Sequence, residues 1–164
     1  MPFQTIEEVL QHEKIPPIIE EIIPQYKELE EGYLRWMEYW WEDDNIPIGV
    51  HLAGLSNGIY DYIKKKNYSI QTLKGIFNII EKYLQEAKNL NDKYTLGTVY
   101  EIGFFESVLN RLSNIDDKEE KKATAHLLHS VIGPIGLELC KSNDKFWGTS
   151  LLPYADLKKG EFKN

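Results

Sequence analysis

A chain of 164 residues, 42% of them hydrophobic, 27% charged and 12% aromatic, has the composition of one globular domain that buries its own core without staples. Its formal charge of −7 disfavours a nucleic-acid partner, since phosphate contacts need clustered lysine and arginine. The single cysteine, Cys140, excludes an internal disulfide and fits a reducing cytoplasm.

The first residues, MPFQTIEEV, lack the positive start and apolar segment of a secretory signal. Thr5 and Glu8 match a capping box, so a short helix is expected there, ended by Pro16 and Pro17. Another turn or two follows through Ile18, Ile19, Ile22 and Ile23, where Pro24 either kinks the helix or restarts it.

Tyr26 to Asp44 comes next and is the most informative stretch. It holds three of the four tryptophans, and Glu20 to Asp44 carries nine acidic residues against Lys27 and Arg35, a balance equal to the −7 of the whole chain. Tyr26, Leu29, Tyr33, Trp36, Met37 and Trp40 recur at helical spacing and predict a core-facing stripe. Opposite them fall Glu28, Glu31, Arg35, Glu38 and Glu42, with Tyr39 beside the row and Asp43 and Asp44 extending it. Glu31 with Arg35 is an i,i+4 pair, whereas Glu38 and Glu42 repel at the same spacing. A solvated helix face is one reading of this row. A surface for a basic protein partner is the other, with Leu34 and Trp41 on the flank of the stripe and Tyr39 and Trp41 as candidate aromatic anchors.

From Ile46 to Lys66, Leu52, Leu55, Ile59, Tyr62 and Ile63 predict a helix whose Gly49, Gly54 and Gly58 imply close packing of a neighbouring backbone. Ser69 is placed to cap a long helix through Leu73, Ile76, Phe77, Ile80 and Leu84 to about Lys88. Tyr94 to Phe105 alternates like a strand, but the helical series continues through Leu109 and Leu112, so length favours helix. Asp117 with Glu120 forms a second capping pattern before a helix from Lys121 to Ile132, broken by Gly133, with Pro134 able to start the next. Residues 149–164 read as a surface or frayed tail. Nowhere does an uncharged run reach the ~20 apolar residues that cross a bilayer. The expectation is an all-α, single-domain helical bundle over residues 1–164. A weak recurrence (Ile18-Ile19-Glu20, Ile79-Ile80-Glu81, Phe104-Phe105-Glu106) raises stacked antiparallel helix pairs as a variant of it.

No catalytic constellation emerges. His126 and His129 stand at i,i+3, but no third ligand completes a metal set, and neither HExxH nor ExxH occurs. Neither GxGxxG nor GxxxxGK[ST] is present. A lone cysteine on an apolar helix is a small core residue more often than a nucleophile. A non-enzyme without metal or cofactor is expected.

Through Phe77-Asn78-Ile79-Ile80-Glu81, Gly103-Phe104-Phe105-Glu106-Ser107-Val108-Leu109 and Ile132-Gly133-Pro134, the chain resembles the small all-helical bacterial proteins, of uncharacterised families, that accompany polymorphic toxins as immunity proteins. The resemblance covers roughly residues 70–140 and implies a cytoplasmic protein that neutralises a cognate toxin domain. It assigns no binding residue. The acidic segment lies outside it and independently points to Glu31, Glu38, Tyr39, Trp41, Glu42, Asp43 and Asp44 as the partner-binding set. Other readings are a helical adaptor or regulatory protein with an endogenous partner, and an enzyme of unknown chemistry. Oligomeric state is not readable from the sequence.

Overall fold

Prolines and short polar residues punctuate this chain, and most of its described helices begin where they stand. In a computed structural model, which describes residues 5–12, 15–40, 45–89 and 100–147, the regular elements are all helical. These are α1 (Ile6–His12), α2 (Pro17–Gln25), α3 (Glu30–Met37), α4 (Ile48–Lys64), α5 (Ile70–Asn89), α6 (Glu106–Ser113), α7 (Lys118–Val131) and α8 (Pro134–Trp147). Turns of 3-10 helix at Lys27–Leu29 and Glu38–Trp40 flank α3, and a π-helical turn at Glu101–Phe105 leads into α6. The protein is all-α.

Three caps follow from side-chain chemistry. Thr5 Oγ1 accepts the Glu8 N–H at 3.2 Å, Ser69 Oγ the Thr72 N–H at 3.2 Å, and Asp117 Oδ1 the Glu120 N–H at 2.8 Å. Each satisfies a first-turn donor that has no partner inside its helix. Pro17 and Pro134 open α2 and α8, where a missing N–H costs nothing. The capping at Asp117 starts α7 at Lys118, three residues before the expected Lys121.

α4 lies at the centre, packed against α2, α3, the π turn and α6. Its Leu52, Leu55, Ile59, Tyr62 and Ile63 are buried, but so are His51 and Ser56, because neighbours cover more than one of its faces. Glycines set the distance to α3. A Cβ on Gly58 would stand 2.6 Å from the Leu29 carbonyl oxygen, and one on Gly32 would stand 2.8 Å from the Gly58 Cα. Asn57 Nδ2 donates to the Gly32 carbonyl at 2.6 Å across this crossing. A Cβ on Gly54 would meet the Tyr33 ring at 2.9 Å. At Gly49 the backbone of the π turn packs closely, a Cβ on Gly103 falling 3.1 Å from the Gly49 Cα, while a Cβ on Gly49 itself points into open space with nothing within 4 Å.

α5 packs chiefly on α2, α7 and α8. Its buried face is the predicted one, Leu73, Ile76, Phe77, Ile80 and Leu84, with Ala87 added. Helix also prevails in the described part of the ambiguous segment, from Tyr100 to Phe105; residues 94–99 lie outside the described residues. Its π turn leaves the adjacent Phe104 and Phe105 both buried, their rings 4.9 Å apart and nearly perpendicular. One core cluster draws on all eight helices and includes Cys140 as a buried small residue.

Two contacts invite substitution. Lys66, just past α4, has φ 61°, while its N–H reaches the Ile63 carbonyl at 3.1 Å. A Cβ is unfavourable in that left-handed turn, and glycine removes the penalty at a smaller cost in unfolded-state entropy. Lys66→Gly is expected to raise stability by about 0.5–1 kcal/mol in urea unfolding. The second is Glu81 on α5, whose carboxylate accepts the N–H groups of Ile135 and Gly136 and so caps α8 from another helix. A Cβ at Gly133 would fall 2.5 Å from Glu81 Oε2, so glycine there admits the carboxylate. Glu81→Ala is expected to lower stability by about 1–2 kcal/mol, with Glu81→Gln, which retains one acceptor, between the two on the same urea curves.

Candidate partner-binding face and a neighbouring cleft

The stripe and the acidic row segregate as helical periodicity requires. Leu29, Tyr33 and Met37 are fully buried, Leu34 is buried, and Tyr26, Trp36 and Trp40 are half-buried against the core. Tyr33 also carries a polar tie, its hydroxyl 2.8 Å from His51 Nδ1 on α4, which satisfies two polar groups inside the core. Glu28, Glu31 and Glu38 are exposed on the other side.

The negative charge is less bare than the sequence suggests. Arg35 forms an ion pair with Asp61 of α4, and Glu31 Oε2 lies 3.6 Å from Lys65 Nζ. Both contacts join α3 to α4, where the sequence pointed to Glu31 and Arg35 pairing within one helix. Glu30 accepts the Ile6 N–H at 2.8 Å and caps α1. Glu21 accepts Lys82 Nζ at 2.9 Å and the Tyr83 hydroxyl at 2.8 Å. These two hydrogen bonds lower the Glu21 pKa, while burial and Glu21 itself push the Tyr83 hydroxyl up. Glu28 and Glu38 make no ion pair among the described residues.

Tyr39 is 86% exposed, on the 3-10 turn that ends α3. Of the seven residues expected to bind a partner, Glu31, Glu38 and Tyr39 are thus at the surface of one short stretch of chain. Trp41, Glu42, Asp43 and Asp44 lie outside the described residues.

A second feature had no sequence signal. Beside this face a cleft of about 970 Å³ opens between the C-terminal half of α4, the end of α6 and the start of α7. Four cations line it, Arg35, Lys64, Lys66 and Arg111. Four carboxylates do too: Asp61, already paired with Arg35; Asp117, which caps α7; and Asp116 and Glu120. Arg111 is half-buried, with its guanidinium carbon 5.3 Å from the centre of the Trp36 ring. Its Nε is sealed from solvent and has no hydrogen-bond acceptor. Burial lowers the Arg111 pKa, Tyr60 and Asp61 oppose that shift, and Arg35 adds to it. Tyr60 holds the wall in place by donating its hydroxyl to the Val108 carbonyl at 2.8 Å, and burial pushes that hydroxyl up. Residues 35, 61 and 111 are far apart in sequence, so only the packing of α3, α4 and α6 assembles them.

His126 and His129 lie on α7, and no group of three or more His, Cys, Asp or Glu able to hold a metal ion occurs among the described residues. No described helix is long and apolar enough to cross a membrane. Compared with known proteins, the chain matches no family model, no curated protein and no solved structure.

Proposed function

We propose that this is a protein-binding protein of the bacterial immunity type, which neutralises a basic toxin domain by presenting the acidic end of α3 to it. The observation that carries the reading is Tyr39. An aromatic ring left 86% exposed beside Glu38, which forms no ion pair among the described residues, brings large contact area at little entropic cost, the property of an interface anchor. Glu38 beside it, with Glu31 and Glu28 further back along the same exposed row, supplies negative potential that steers a basic partner. Trp41, Glu42, Asp43 and Asp44 continue the same acidic, aromatic sequence and complete the proposed set. A nuclease domain, basic because it handles nucleic acid, is the partner chemistry this face fits best.

The test is capture from the source cells with the tagged protein at low and high salt, with Tyr39→Ala as a parallel bait. A basic protein retained by the wild type, released by salt and missed by Tyr39→Ala supports the reading. Co-expression then decides the role: the captured protein should arrest growth alone and be harmless beside the wild type. A captured partner without toxicity would instead favour an adaptor, and equal capture by Tyr39→Ala would move the interface to another face.

A further inference from the structure

An arginine with a sealed, unmet donor is an expensive arrangement. An unsatisfied buried polar group carries its full desolvation penalty, and the penalty is larger for a charged one. Arg111 as a whole is half-buried, but its Nε is sealed from solvent and has no acceptor; its guanidinium carbon lies 5.3 Å from the centre of the Trp36 ring, and it forms no ion pair among the described residues. The one carboxylate that acts on it electrostatically, Asp61, is engaged by Arg35. The sealed Nε–H is out of reach of a ligand in the cleft, so the donors that Arg111 offers there are those of its terminal nitrogens, whose parallel N–H groups match a two-oxygen acceptor.

We propose that the cleft binds a small molecule through an oxyanion, a phosphate or a carboxylate, seated on Arg111. The volume of about 970 Å³ is that of a small-molecule site. Lys64 and Lys66 add positive potential at the end of α4, so the oxyanion is attracted to the α4–α6 side. Asp116 at the α6–α7 junction and Glu120 in the first turn of α7 would repel a second anionic group and accept hydroxyl or amine groups of the ligand. The cleft is therefore suited to a ligand with one anionic end. This inference is independent of the partner-binding reading, since Tyr39 and Glu38 do not line the cleft.

The direct reporter is the Arg111 Nε–H resonance in the nitrogen-15 NMR spectrum, assigned by its disappearance in Arg111→Lys. Inorganic phosphate and succinate are titrated separately into the wild-type protein, with sodium chloride at matched ionic strength as the reference. A saturable shift of that resonance with either probe, absent with chloride, is expected, and whichever probe binds more tightly assigns phosphate or carboxylate. Arg35→Gln, which frees Asp61 to face Arg111, should weaken binding about tenfold, the effect of losing roughly one charge-assisted hydrogen bond. The proposal is overturned if neither probe moves the resonance beyond chloride. It is overturned equally if the only saturable shifts are at the Lys64 and Lys66 amides and persist unchanged in Arg111→Lys, because the anion then sits on surface lysines.

Discussion

Gly58→Ala should destabilise the protein by about 3 kcal/mol, the upper part of the range for overpacking a close contact. The added methyl would stand 2.6 Å from the Leu29 carbonyl oxygen, a backbone atom that cannot rotate away as a side chain would. Relief requires α3 and α4 to separate, which would also strain the Asn57 bond to the Gly32 carbonyl and the Arg35–Asp61 ion pair. Gly49→Ala is the internal control on the same helix. Its methyl meets nothing within 4 Å, so the ordinary advantage of alanine over glycine in a helix should appear as a gain of up to about 1 kcal/mol. Urea unfolding of the two variants decides the matter by sign: a gain in Gly58→Ala would mean that α3 and α4 do not cross at Gly32 and Gly58, and a loss in Gly49→Ala would mean that its methyl is not in open space.

The second large effect concerns binding rather than folding. Tyr39→Ala should weaken the complex with the captured partner by about 2 kcal/mol or more, the loss typical of an anchoring aromatic at the centre of an interface. Its melting temperature should stay close to that of the wild type, because an 86% exposed ring contributes little to the core. Glu38→Gln should act differently, slowing association at low salt while leaving the dissociation rate nearly unchanged, as a rim charge does. Glu31→Gln is less informative, since Glu31 also meets Lys65 and its removal acts on the α3–α4 contact. Surface plasmon resonance over a salt series, beside thermal melts, separates these effects. Unchanged affinity in Tyr39→Ala would leave the acidic face as solvated surface.

Much of the fold was legible because its signals are local. The caps at Thr5, Ser69 and Asp117, the prolines that open α2 and α8, and the apolar faces of α4 and α5 depend on residues three or four apart, the distance over which a helix is self-consistent. The division of α3 into a buried stripe and an exposed acidic row follows from the same periodicity, so the exposure of Glu31, Glu38 and Tyr39 was readable from the chain.

What the tertiary structure decided depends on residues distant in sequence. Arg35 has a suitable partner four residues before it, yet it meets Asp61, and Glu31 meets Lys65, because Gly32 and Gly58 let α3 and α4 approach closely enough to bring the two rows of charge into contact. Glu81 has no capping signature, since the helix it caps begins more than fifty residues later. Arg111 reads as one more charge in an amphipathic helix until the packing brings its guanidinium to the Trp36 ring and seals its Nε. Periodicity determined which face of each helix turns inward; the side chains that face one another across helices were set by how closely those helices approach, a property that no local spacing encodes.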